Sequence, residues 1–216
     1  MAGPGVSILA LIEQLAAAPT APDAYNEYAH GDNPYNALRR ANFQRYLQDM
    51  TRHQPTTLLV MEAPGYRGCR LTGVPVTSRK ILTEGLAGLD LFGTHNGYVD
   101  VPEPGFEAIQ GEQSATIVWG LMQELGIIPL IWNTFPFHPH KMGLPLTNRK
   151  PRQPEVQQGA VFLQAMLDLF QPRQVIAVGN VAAASLQGMG HACAKVRHPA
   201  QGGKNDFVAG MKRLLT

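Results

Sequence analysis

The sequence predicts a three-layer α/β/α sandwich with a central, mainly parallel four-stranded sheet, and two observations predict it. Four short apolar runs rich in β-branched residues are of strand length, and segments with helical spacing separate them. Strands that alternate with helices pair in parallel and are covered on both faces.

In chain order, residues 1–19 hold a short apolar run with no basic residue before it. Glu13 interrupts it, so an amphipathic helix is expected rather than a signal peptide, and the protein is expected in the cytoplasm. Residues 18–34 read as mobile, and 36–50 as a helix. The first strand is residues 56–62 (TTLLVME). Residues 91–111 again read as mobile, and 114–125 as a helix. The second strand, 128–133 (IPLIWN), precedes a helix at 155–170. The third, 174–178 (QVIAV), precedes a helix at 181–189, and the fourth, 194–197 (AKVR), one at 206–214.

A chain of 216 residues, 44% of them hydrophobic, has enough apolar side chain for one core and is read as a single domain, residues 1–216. No window approaches the roughly 18 apolar residues of a membrane helix, so no membrane partner is expected. Cys69 and Cys193 are too few for a disulfide framework or for the thiolates of an iron-sulfur cluster. The net charge is only +2, yet residues 1–140 carry 8 Lys/Arg against 13 Asp/Glu and residues 141–216 carry 10 against 3. A basic C-terminal third is what a phosphate-contacting surface looks like.

In open α/β sheets ligands sit beyond the carboxyl ends of the strands, so the loops there carry the functional reading. The first loop sets Glu62, Ala63, Pro64, Gly65 and Tyr66 after a buried strand, followed by Arg67, Arg70, Arg79 and Lys80 with no acid before Glu84. A strand-to-helix turn capped by Thr77 or Ser78 accounts for much of the same pattern. In the second, Asn133 ends its strand, and its amide offers both donor and acceptor to a pyrimidine edge, although asparagine is also a common turn former. The fourth holds Arg197 and His198 before Pro199, Gln201, Gly202, Gly203 and Lys204; a histidine there can donate into a site while backbone meets phosphate. Gly179 and Asn180 open a helix whose N-terminus suits a phosphate. His138 and His140 lack the CxxC, HExxH or HxE with PCxxC partners of a zinc site, so neither a metal nor any other cofactor is expected. GxSxG, GxGxxG and GxxxxGK[ST] are absent too, which leaves a hydrolase elbow or a common nucleotide loop unsupported.

Together these loops resemble the uracil-DNA glycosylase superfamily from about residue 56 to the C-terminus. EAPGYRGCRLTGVPVTS is similar to the first motif of its thermophile-type branches, with Met61 where those carry glycine. NTFPFHPH running on to Asn148, Arg149 and Pro151 is similar to the central asparagine motif with its NRxP, and HPAQGGK to the HPS-type motif. The resemblance implies a monofunctional, metal-free glycosylase acting on uracil, with hypoxanthine or xanthine as wider substrates, in DNA containing the damaged base. A monomer is the default expectation.

By that resemblance His198 stabilises the departing base, Asn133 reads its edge, and Ala63, Pro64 and Gly65 shape the pocket. Arg67, Arg70, Gly179, Asn180, Arg197 and Lys204 meet DNA; Gln201, by its position at the tip of the HPAQGG loop rather than by the resemblance, is expected to fill the gap the base leaves. Two departures bear on mechanism. Ala63 stands where GQDPY versions put the water-orienting aspartate, which leaves Glu62 as the nearby carboxylate although adjacent strand residues point differently. Val76 replaces a stacking phenylalanine, so Phe135, Phe137 or Tyr66 is expected to stack instead. These departures also motivate an alternative, a glycosylase-fold protein that binds nucleic acid or a nucleobase with little hydrolysis.

Overall fold

The computed structural model describes residues 7–31 and 33–216. Residues 1–6 of the expected N-terminal helix therefore lie outside the described residues. The remainder forms α1 (Ile8–Ala17), started by the Ser7 side chain accepting from the Ala10 amide at 3.1 Å. Next come β1 (Ala24–Tyr25), α2 (Tyr35–His53), β2 (Thr57–Met61), α3 (Cys69–Thr72), α4 (Arg79–Glu84) and α5 (Gln113–Leu125). The chain continues as β3 (Leu130–Asn133), β4 (His138–Pro139), α6 (Gln153–Phe170), β5 (Gln174–Val178), α7 (Asn180–Gly188), β6 (Ala194–Val196) and α8 (Lys204–Leu215).

The four expected strands form one sheet in the order β3-β2-β5-β6, and every pairing is parallel. All residues of β2 and β3 are buried, as a sheet covered on both faces requires. The chain steps one way along the sheet from β2 to β3 and the other way from β3 to β5. Right-handed crossovers therefore put α5 on one face and α6 with α7 on the other. Lys212 of α8 reaches Glu124 of α5 at 2.5 Å, which places α8 beside α5. This reversal opens a crevice at the carboxyl ends of the strands, where the functional loops emerge.

β3 is an edge strand, and its free backbone is used rather than left open. The Tyr46 hydroxyl of α2 accepts from the Ile131 amide at 2.8 Å and donates to the Ile131 carbonyl at 3.3 Å. Phe43 and Trp132 stack beside it at 5.3 Å, joining α2 to the sheet through aromatic contact.

Two segments depart from the sequence reading. The described residues of 18–34, and 91–111, expected to be mobile, are held by side-chain hydrogen bonds, and residue 32 of the first segment lies outside the described residues. Asn26 donates to the Leu15 and Ala18 carbonyls, and Glu103 is bound by Arg39 at 2.5 Å, by Asn33 at 2.8 Å and by Arg70. Lack of periodicity signalled the absence of long regular elements there, but not the absence of order. The small antiparallel sheet of β1 with β4 was also not expected; its two-residue strands are too short to show alternation.

Candidate active site

A cleft of about 1140 Å³ lies at the carboxyl edge of the sheet, and loops following all four strands line it. From β2 come Glu62 through Gly68, from β3 Asn133, from β5 Gly179 to Val181, and from β6 Arg197, His198, Ala200 and Gln201. The sequence is read at widely separated points, and the parallel sheet delivers them to one end.

Asn133 closes β3 and is 2% exposed, yet its side-chain amide has no hydrogen-bond partner among the described residues. That amide is not sealed in the interior but opens onto the cleft, so its donor and acceptor are available to a ligand. Glu62 is half-buried on the same cleft. Burial raises its pKa above the ordinary 4.5, with Lys150 pulling in the opposite direction.

His198 Nδ1 accepts the Ala200 backbone N–H at 3.1 Å, which leaves the proton of a neutral ring on Nε2. Burial, and next the adjacent Arg197, lower its pKa, so the ring is held neutral. The loop is pinned from behind by Gly203, whose amide donates to the Ala200 carbonyl at 3.1 Å.

The first loop is clamped at several points. The Tyr66 amide donates to Asn148 Oδ1 at 3.0 Å. His138 is buried, and burial pushes its pKa down to about 4, so the ring is neutral and has one N–H. That proton is assigned to Nδ1, which lies 2.9 Å from the Pro64 carbonyl, against 3.2 Å from Nε2 to the Pro145 carbonyl. Beneath the loop Glu27 accepts from the Cys69 thiol at 3.6 Å and from the His138 amide at 3.2 Å.

Val76 lines the cleft with φ 51, a left-handed backbone that a β-branched residue rarely takes. Trp119 Nε1 holds its carbonyl at 2.7 Å. Such strain persists only where surroundings impose it, and here it fixes the cleft wall. Ser78 does cap α4, accepting from the Ile81 amide, so the turn reading and the cleft reading of this loop are both realised.

Thus Glu62, Ala63, Pro64, Gly65, Tyr66, Val76, Asn133, Arg67, Gly179, Asn180, Arg197, Gln201 and His198 all reach the cleft. Four expected residues do not. Arg70 is 6% exposed, gripped by Glu103 and laid 4.1 Å from the Phe106 ring centroid, so it braces the scaffold instead of meeting DNA. Phe135 is buried edge-on against Phe137 at 5.4 Å, which removes both as stacking surfaces. Tyr66 remains as the cleft aromatic, its hydroxyl accepting from Arg67 Nε at 2.8 Å. Lys204 is exposed on the first turn of α8 and lies outside the lining.

Other lining residues were not expected. Glu112 lines the cleft, but its carboxylate is committed to the Ser114 and Ala115 amides as the cap of α5. Lys150 and Lys195 add exposed cations that, with Arg67 and Arg197, form no ion pair among the described residues; Asn148 and Lys150 fall inside the NRxP string, which the sequence reading named without giving them a role. The lining is therefore net basic, as a phosphate-bearing ligand needs. No three His, Cys, Asp or Glu side chains among the described residues converge as a metal-holding set.

Comparisons with known proteins bear on the family and the fold. The family model described as "Uracil DNA glycosylase superfamily" matches residues 48–212. A crystal structure of wild-type Pedobacter heparinus SMUG2 matches with a TM-score of 0.57 at 11% identity, covering 94% of this chain and 96% of that one, and so shares the fold. No curated protein matches.

Proposed function

Because the chain belongs to the uracil-DNA glycosylase superfamily, we propose that it hydrolyses the N-glycosidic bond of uracil, or another deaminated base, rotated out of DNA into this cleft. The observation that carries the reading is Asn133, whose amide has its donor and acceptor unused and opens onto the cleft that the Glu62 and His198 loops also line. Breaking the bond from C1′ of the sugar to N1 of uracil, or to N9 of a deaminated purine, sends the electron pair to the base and leaves positive charge on the sugar. His198, neutral with Nε2–H free, donates a hydrogen bond to the developing base anion without surrendering its proton. Glu62 takes a proton from the water that adds to C1′, a task suited by a pKa raised toward the working pH.

Arg67, Lys150, Lys195 and Arg197 grip the backbone and offset a base-flipping cost of about a few kcal/mol. The role is base excision repair inside the cell, carried out by a monomer. Base release from labelled oligonucleotides carrying uracil, hypoxanthine, xanthine or mismatched thymine, in single and double strands, tests the assignment. His198→Ala should lower release about 100-fold or more, and Glu62→Ala should do the same. A folded protein that binds DNA and releases no base would instead support the non-hydrolytic alternative motivated by Ala63 and Val76.

A further inference from the structure

Three of the six large hydrophobic side chains exposed among the described residues stand in one short hairpin: Met142 (65% exposed), Leu144 (54%) and Leu146 (48%). The other three, Leu9, Val99 and Val161, lie on other parts of the chain. This hairpin is not loose chain. The Leu144 amide donates to the Lys141 carbonyl at 2.9 Å, the Lys141 amide donates to the Thr147 hydroxyl at 3.0 Å, and that hydroxyl donates to the Leu144 carbonyl at 2.7 Å. Gly143, at φ 71, supplies the left-handed residue of the turn. The stem is anchored as the Arg149 amide donates to the Pro139 carbonyl at 3.1 Å. Apolar side chains presented on a rigid frame, with nothing packed on them, mark a contact surface.

The surroundings select the occupant. The chain leaves the hairpin directly into Asn148, Arg149 and Lys150, which line the cleft, and Asn148 also holds the first loop through the Tyr66 amide. Lys141 and Lys150 flank the apolar tip, are exposed and form no ion pair among the described residues. The hairpin follows β4, which pairs with β1 outside the four-stranded sheet, and leads back to Asn148 at the loop after β2, whereas the loop of His198 and Gln201 follows β6 at the edge of the sheet remote from β3. A ligand seated in the cleft is thus approached from both sides. A duplex offers phosphates for the lysines and stacked base faces for the apolar tip in the same place.

We propose that residues 141–147 form a wedge that inserts Met142 and Leu144 into the base stack beside the rotated nucleotide, with Lys141 and Lys150 on the adjoining phosphates. The wedge rests on the glycosylase reading above and extends it from the single damaged base to the duplex around it. Apolar wedges of this kind stabilise an unstacked, kinked duplex and have no work to do on a flexible single strand.

The test combines Met142→Ser, Leu144→Ser and Leu146→Ser, all at exposed positions, and compares release from duplex with release from single-stranded substrate. The duplex-to-single-strand ratio of kcat/KM should fall by about tenfold or more. Equal loss on both substrates, or no loss, overturns the wedge. A wild-type protein that releases no base at all sinks the glycosylase reading instead. The wedge is then decided by the fluorescence of 2-aminopurine beside the lesion in a bound duplex. Enhancement by the wild type and not by the triple variant supports the wedge, and equal or absent enhancement overturns it. A wild-type dimer that the triple substitution converts to monomer, with the duplex ratio unmoved, assigns the hairpin to a second copy and also overturns the proposal.

Discussion

Glu27 is fully buried beneath the first loop and has no directly paired cation among the described residues; its carboxylate accepts only from the Cys69 thiol, the His138 amide and its own backbone. Burial pushes its pKa up from 4.5 to about 7, against smaller opposing contributions that include Arg39 and Arg70. The sign follows from linkage: a carboxyl whose folded pKa is raised contributes stability fully present below the unfolded pKa and lost as pH rises through the folded one. The window is therefore about pH 4.5 to 7, and at about 1.4 kcal/mol per unit the loss across it is about 3 kcal/mol. Glu27→Gln keeps an acceptor for the His138 amide and cannot ionise. Urea midpoints of both proteins, measured below and above the window, should show the variant gaining up to about 3 kcal/mol on the wild type as pH rises. Comparing the two cancels the opposite pH trend of Asp23, Asp100 and Glu155, whose pKa values the neighbouring arginines lower. Parallel curves across the window would refute the argument that Glu27 is buried without compensation.

Three further outcomes are expected. Glu62 and His198 both work in their deprotonated forms, with the pKa of Glu62 raised by burial and that of His198 lowered by burial, so the rate should climb with pH on the acid side as both lose their protons and then stay flat through neutrality. Glu62→Gln should change the shape of that limb and remove most of the rate, and an unchanged limb would take Glu62 out of the titration. In Gly203→Ala the new Cβ presses on the His198 carbonyl, with Arg197 Cγ at 3.0 Å and the Ala200 carbonyl at 3.1 Å, although φ −79 suits alanine; kcat/KM should fall about 100-fold as His198 shifts. Gly202→Ala meets nothing within 4 Å and serves as its control, with φ 77 costing about 1–2 kcal/mol of stability and a much smaller loss of activity. Asn148→Ala removes the acceptor of the Tyr66 amide at an exposed position, so KM should rise about fivefold while kcat and thermal stability hardly move. A matching loss in kcat would place Asn148 in the chemistry instead.

What the sequence determined by itself was local: which runs are strands, the helices between them, and the order of the three loop motifs. Burial on both faces imposes near-continuous apolar runs on parallel strands, and Pro and Gly mark where the backbone must turn. That information is carried by neighbours in the chain, and β2, β3, β5 and β6 accordingly fall within the expected segments. Given parallel strands, motifs at their carboxyl ends must meet at one edge, which is why Glu62, Asn133 and His198 share a cleft.

Only the tertiary structure decided which of the loop residues are free to act. Arg67 and Arg70 look alike in the chain, yet Arg67 is exposed on the rim and Arg70 is withdrawn onto Glu103, 33 residues away. Phe135 and Tyr66 are both aromatic and close to a motif, yet one faces the core and the other the cleft. The apolar hairpin at 142–146 reads as ordinary hydrophobic sequence, and its meaning appears only when nothing packs against it. The physical reason is common to all three: a side chain's availability depends on whether a distant partner satisfies or covers it, and that partner is chosen by the packing of the whole chain.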